Sequence, residues 1–301
     1  MKLAWKKLHR PLRIVLILLA ALVVIAVILG VLNATVGGGK WTFGWTGYRY
    51  DDSGFSAGNG SVPYESIRHI SVDWIDGEVE LLPCDDRYIS LSERSQNRLT
   101  DSAELRWKVS ADGTELTVKY RASSWILGRG ERNLNKRLTL RVPRKMLAEM
   151  ETLAITTVSG NILAEEVESP ILALTSKSGN VTVSGGRYST MALTSESGKV
   201  KLHSDVTDSL AVLTKTGDVE WKSAVCTSAV AIDSQSGSVE IALPETASFL
   251  LDFKTQRGAL QSDFSLVSEG ETMGTERWRC GTGDARISVV THYGSLRIGK
   301  K

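Results

Sequence analysis

Leu153–Ala164 reads LAITTVSGNILA, and the same twelve-residue phrase returns as LALTSKSGNVTV (172–183), MALTSESGKVKL (191–202), LAVLTKTGDVEW (210–221) and VAIDSQSGSVEI (230–241). A looser copy, LDFKTQRGALQS, occupies 251–262. Two outliers share the pattern, ISVDWIDGEVEL (70–81) and ISVVTHYGSLRI (287–298). Gly160, Gly179, Gly198, Gly217, Gly237 and Gly258 are spaced by 19, 19, 19, 20 and 21 residues, and Gly77 and Gly294 hold the same place in the outliers. Residues seven and five before each glycine are apolar in every copy, from Ile70/Val72 to Ile287/Val289. Those two and four after it are apolar too, from Val79/Leu81 to Leu296/Ile298, with Ser262 the one exception. Alternation with a period of two is the mark of a strand with one buried face.

The phase of that alternation shifts across the glycine, which predicts a corner there. Glycine suits a corner either through positive φ or by letting another backbone approach closely. Three residues before it, Thr157, Ser176, Ser195, Thr214, Ser234, Thr255 and Thr291 keep the inward phase. Their hydroxyls are placed to bond the corner backbone or the same residue one coil away. A strand–corner–strand unit this short cannot bury its own face, whereas stacked neighbours share a continuous core. The alternative is an antiparallel meander, but that calls for tight two-residue turns on both sides of each strand. Here one corner recurs while the return stretches AEEVESP, SGGRYST, HSDVTDS and KSAVCTS vary. The expectation is an all-β chain: a β-solenoid of about 19–21-residue coils over 67–301.

Upstream, residues 14–32, IVLILLAALVVIAVILGVL, carry no polar side chain. Nineteen helical residues span about 28 Å, close to the thickness of a bilayer core. We read 14–36 as one transmembrane helix. Lys2, Lys6, Lys7, Arg10 and Arg13 make 1–13 a basic flank that stays cytoplasmic and leaves the C-terminal bulk outside. A cleaved signal peptide is the rival reading, but its apolar region is shorter and ends at a small-residue cleavage site, for which NATVGGGK is a poor match. Residues 37–66 form a juxtamembrane stretch. In it Trp41, Phe43 and Trp45 alternate, either as a strand packed on the solenoid's start or as an interfacial aromatic belt. Between the Gly77 and Gly160 units, about 86–143 reads as an inserted β-hairpin region, with Asp112-Gly113 its turn, that caps or widens the first coils. Residues 144–151 suit a short helical turn.

The elements HISVDWIDGEVELLP (69–83), RLTLRVP (137–143) and the run of SGN, SGK, TGD and SGS corners resemble the DUF4097 family of bacterial β-strand-repeat, adhesin-like proteins, over about Ile67 to Lys301. The resemblance implies a right-handed, parallel β-helix-like solenoid, an envelope location and no established catalytic residues.

Composition excludes several function classes. Of 36 basic and 34 acidic residues, five basic ones lie in the flank, leaving 31 against 34 and no excess for nucleic acid. Cys84, Cys226 and Cys280 form no metal pattern; three buried thiols are expected, with one bridge as the alternative. GFSAG (54–58) fits the nucleophile-elbow pattern around Ser56, but polar turns flank it where a strand and a helix are needed. His9, His69, His203 and His292 are scattered, and the residues after the corner glycines, Asn161, Asn180, Lys199, Asp218 and Ser238, are too varied for a calcium ladder. No metal or cofactor is expected. The one enzyme alternative is a carbohydrate-active solenoid using Glu220 and Glu240 on adjacent coils; solvated surface is the plainer reading. Lys177, Glu196, Lys215 and Gln235 form an outward row that suits register control.

A second outward row is Ala154, Ala173, Ala192, Ala211 and Ala231, flanked by Thr156, Thr175 and Thr194. Three readings of this strip stand: it is covered by the aromatic N-terminal strand, it is a docking face for a partner, or it is plain surface. Together these readings predict a single-pass membrane protein whose outer solenoid is a non-catalytic binding or scaffolding module of the bacterial envelope, its partner an envelope protein or cell-wall glycan.

Overall fold

The structure, a computed structural model, describes residues 48–123 and 134–301. The basic flank, the membrane-span expectation at 14–36 and the Trp41–Trp45 alternation lie outside the described residues. Among those described, no helix is long and apolar enough to cross a membrane. The chain is all-β, and its one described helix is the turn Arg144–Leu147, where a helical turn was expected.

Each repeat folds as two strands meeting at its glycine. The strands before the glycines pair in parallel as one ladder: His69–Trp74, Thr152–Thr157 and Ser169–Ser176, then the ends of the long strands Val181–Ser195 and Val200–Thr214, then Ala229–Ser234. The strands after the glycines pair as a second ladder, Glu78–Cys84, Asn161–Glu165, the starts of the same long strands, Val219–Lys222 and Val239–Leu243. The alternating apolar residues of both ladders join one hydrophobic cluster. Burying each Val, Leu or Ile there contributes about 1.5–3 kcal/mol.

Close approach, more than positive φ, fixes the corner. Among the eight aligned glycines only Gly77 has positive φ, at 85°. A Cβ on Gly179, Gly198, Gly217 or Gly237 would sit 1.9–2.0 Å from the carbonyl oxygen of the preceding corner glycine. The hydroxyl row locks the same turn. Ser195 accepts from Gly198 N–H at 2.9 Å and donates to Gly198 O at 3.0 Å, and Thr214 and Ser234 repeat the pair at Gly217 and Gly237. Asx residues one step past the corner complete it: Asn161 Oδ1 accepts from Asn180 N–H, and Asn180 Oδ1 from Lys199 N–H, both at 2.9 Å.

The stack does not follow chain order at its ends. After the Gly237 rung, the next rung is that of Gly294, built by Ala285–Thr291 and Leu296–Lys300. The Gly258 rung, Phe249–Lys254 and Leu260–Ser262, lies beyond it. Even spacing of the glycines therefore misplaces Gly258. Its coil carries Phe249, which meets Phe264 edge-on at 5.4 Å across the end of the core. Ser262, the exception to the apolar rule, accepts from Phe264 N–H at 3.0 Å and so turns that ring inward.

The other end mirrors this. Glu115–Lys119 pairs outside His69–Trp74, and Arg137–Pro143 outside Glu78–Cys84. The 86–143 region is thus more than an inserted hairpin: it supplies a complete outer rung, with Lys136 where the other corners have glycine. Gly77 can have no side chain because Lys136 O would lie 2.1 Å from its Cβ. The Arg106–Val109 and Tyr88–Arg94 strands then add antiparallel edges, the first joined to Glu115–Lys119 through Gly113 at φ 75°.

Lys136 is fully buried. Its Nζ donates to Ala103 O at 2.7 Å, to Tyr120 O and to the Glu93 carboxylate, beneath the Trp74 and Tyr120 rings. Burial pushes its pKa down and the Glu93 charge opposes that shift. Lys136→Ala leaves Glu93 buried and unpaired, so urea unfolding should show a loss of about 3–5 kcal/mol, much of it regained in Lys136→Met/Glu93→Leu. Gly198→Ala should cost about 1–3 kcal/mol by the same measurement. Gly160→Ala should cost less, because the nearest atom to its added Cβ is 3.4 Å away. Equal costs at the two glycines would contradict the corner geometry.

Candidate functional site

The second ladder puts one cluster of charge on its outer face. Lys201 pairs in register with Glu220, His203 with Lys222, and Glu220 with Glu240. Glu220 accepts from Lys222 Nζ at 2.7 Å and lies 2.9 Å from His203 Nε2 and 3.3 Å from Lys199 Nζ. These contacts, with Lys222 and His203 the strongest, bring its pKa down to about 2. A two-carboxylate hydrolase needs one carboxyl held protonated to act as acid. Glu220 is the opposite, an anion held by Lys222 on its own rung and by Lys199 and His203 on the rung before. Glu240 stands exposed beside it and pairs in register with Arg297 on the next rung. The arrangement clips rungs together electrostatically.

Other sequence candidates are dispersed. Ser56 is exposed in the two-residue edge strand Ser56–Ala57, which leads to another strand, so the strand–elbow–helix geometry of a nucleophile is not formed. His69 lies 3.5 Å from Glu151, and His292 packs against Tyr293. Among the described residues, no three His, Cys, Asp or Glu side chains are grouped to hold a metal. The three thiols are free; Cys280 is buried, but Cys84 and Cys226 are only half-buried, less than the sequence suggested. In the register row, Lys215 reaches Glu196 at 3.2 Å between adjacent rungs.

The alanine strip forms as an in-register row: Ala154, Ala173, Ala192, Ala211 and Ala231 pair in succession, with Thr156, Thr175 and Thr194 in the next row. On this outer face the first four alanines are nonetheless buried, at 1, 4, 8 and 7% exposure, and Ala231 is half-buried. Leu213, in the threonine row, is 42% exposed.

Sequence reasoning missed the buried polar group at the strip's N-terminal end. Asp73 accepts from Tyr48 O–H at 3.2 Å and Lys119 Nζ at 3.1 Å, all on the outer face. Burial raises the Asp73 pKa, against the pull of Lys119. The only sequence signal was the break itself, an aspartate flanked by Val72 and Trp74.

The Glu220 cluster gives a test of sign. A carboxyl whose folded pKa is about 2, below its ordinary 4.5, contributes stability above pH 4.5 that is lost as pH falls towards 2. Glu220→Gln should cost about 0.5–1 kcal/mol at pH 7, limited by solvent screening, and the gap to the parent should close by pH 2. A gap that persists unchanged in acid would contradict the ion-pair assignment.

A candidate cell-adhesion protein from Clostridium sporogenes is 14% identical, with 82% of this chain and 100% of that one covered and a TM-score of 0.28. A candidate adhesin from Bacteroides fragilis is also 14% identical, with 81% and 97% covered and a TM-score of 0.46. No curated protein matches the sequence. The family described as Toastrack DUF4097 matches residues 67–298, from the first core residue of the Gly77 rung to the last of the Gly294 rung. The chain belongs to the Toastrack DUF4097 family.

Proposed function

We propose that this chain is a single-pass membrane protein whose solenoid stands outside the cytoplasm as a non-catalytic binding or scaffolding module of the bacterial cell envelope. The observation that carries the non-catalytic part is the use made of the recurring outer positions. Hydroxyls, Asx side chains and ion pairs at these positions are spent on neighbouring rungs. Glu220, the best-placed carboxylate, is held ionised by cations. What remains is a long, stiff surface suited to presenting contacts, in a right-handed coil as the family resemblance implies. The adhesin-like descriptions of the two solved neighbours are in keeping with this reading.

The membrane part rests on sequence. The apolar run 14–32 and the basic flank before it favour a helix with its N-terminus in the cytoplasm. An envelope protein or cell-wall glycan is the partner class that such a placement brings within reach.

Two measurements test the proposal. Protease added to intact protoplasts should remove the region after Gly39 and spare the first 13 residues; a protected solenoid would overturn the topology. The full chain should co-sediment with purified cell wall or capture an envelope protein while releasing no sugar from the wall. Release of reducing ends that disappears in Glu220→Gln would favour the enzyme instead.

A further inference from the structure

Two of the three free thiols gather where the chain passes over a rung. Val239–Leu243 belongs to the Gly237 rung, but the next strand, Phe249–Lys254, pairs with Ala285–Thr291 and not with Ala229–Ser234. Residues 244–248 therefore cross the level of the Gly294 rung before the chain has reached the residues that fill it. Cys226, in the stretch between Val219–Lys222 and Ala229–Ser234, sets its Sγ 3.9 Å from Ser248 O at the end of this crossing. Cys280 ends the antiparallel strand Thr275–Cys280, opposite Phe249, and sets its Sγ 3.5 Å from Ala247 O. The two carbonyls belong to consecutive residues, whose Cα atoms stand about 3.8 Å apart. Cys280 lies in the hydrophobic cluster, and Cys226 packs against it. Burial pushes both thiol pKa values up, and the Cys280 charge raises that of Cys226 further, so the sulfurs stand within electrostatic reach of each other. Cys84 is at the other end of the stack, in register with Pro143.

We propose that Cys226 and Cys280 are a disulfide pair, and that their bond staples the C-terminal hairpin to the return stretch before the Gly237 rung. That stretch, 223–228, lies outside both ladders, so closing the gap between the sulfurs there leaves the register of the strands intact. Cys226 is half-buried and Cys280 only 8% exposed, so an oxidant in solvent meets Cys226 first. The Cys226 thiolate attacks a disulfide of the glutathione type. That S–S bond breaks, one half stays on Cys226 as a mixed disulfide, and the other leaves as a thiolate that takes up a proton. The Cys280 thiolate then attacks the Cys226 sulfur, forms the protein bond and expels the second half. Two protein thiols lose two protons and two electrons, and the oxidant gains them as two thiols. The bond secures a cap whose outer strand, Val267–Thr272, is exposed along its length and whose hairpin pairs with the stack through Phe249–Lys254. The oxidising setting rests on the proposed extracytoplasmic placement; whether the two thiols pair is a property of the fold alone.

Disulfide mapping of the purified full chain in lipid nanodiscs tests it. The reduced chain is incubated with oxidised glutathione at mildly alkaline pH, then unfolded, alkylated and digested without reductant. The expected product is one linked peptide pair joining Cys226 to Cys280, with Cys84 alkylated and the thiol count of the unfolded chain down from three to one. The bond should raise the unfolding temperature by about 5–15 °C. A reductant should abolish that rise, and neither Cys226→Ala nor Cys280→Ala should show it when compared with its own reduced form. Glutathione left on Cys226 as a stable mixed disulfide would overturn the proposal, as would a bond to Cys84, a dimer joined through either thiol, or three thiols still free. An intramolecular bond that left the unfolding temperature unchanged would overturn the staple. Membrane topology plays no part in the measurement, so a failure here is distinct from a failure of the protoplast experiment.

Discussion

A carbonyl oxygen of one rung occupies the place where the next rung's corner would carry a Cβ. At Gly198 and Gly217 that oxygen is 1.9 Å from the missing atom. Everything regular in the protein follows from this packing. It admits only glycine, sets the rungs at strand spacing and brings the corner hydroxyls within reach of the glycine N–H and C=O. Because the corner cannot slide, the strands on both sides stay in register, and the inward apolar positions meet their own kind along the stack. A one-residue slip would turn each buried face to water.

The ends show how such a stack is closed. Each end departs from chain order: at one, the coil built by Glu115–Lys119 and Arg137–Pro143 follows the Gly77 rung in the chain yet lies outside it, and at the other the outer Gly258 coil is laid down before the Gly294 rung beneath it. At one end Phe264 covers the core; at the other Lys136 and Glu93 are buried together beneath Trp74 and Tyr120. Beyond both outer rungs the pairing continues as short antiparallel strands, Thr275–Cys280 on Phe249–Lys254 and Arg106–Val109 on Glu115–Lys119.

Much of this was legible in the sequence because the repeat is physical. Period-two alternation with a phase change at glycine gives strands, corners and the in-register alanine row from residues alone, and the hydroxyl three places earlier predicts its own bonds. Rung order was not legible. Glycine spacing measures distance along the chain, and a coil can be passed over and returned to at no cost in local pattern, as at Gly258 and Gly294. Ser262 marked the place, but a single polar residue at an inward position does not say that the core ends there. Lys136 was hidden for a similar reason: in LNKRLTL it looks like an outward charge, and only the partner Glu93, more than forty residues away, makes its burial tolerable. Glu220 and Glu240 were correctly placed on adjacent rungs, but the three side chains around Glu220, Lys199, His203 and Lys222, come from separate positions on two rungs.

As a surface, the stack offers in-register rows, the alanine row of low exposure among them, and these rest on which rung touches which. Oxidative cross-linking of cysteine pairs in the corner row tests that directly. Residues on adjacent rungs stand about 4.8 Å apart, within reach of a disulfide, whereas residues two rungs apart stand about 9.6 Å apart, beyond it. Backbone bonds place His292 between Gln235 and Gln256. The account predicts that Gln235→Cys/His292→Cys and His292→Cys/Gln256→Cys each form a bond, and that Gln235→Cys/Gln256→Cys does not. A bond between positions 235 and 256 would put the coils in chain order and contradict the stack described above.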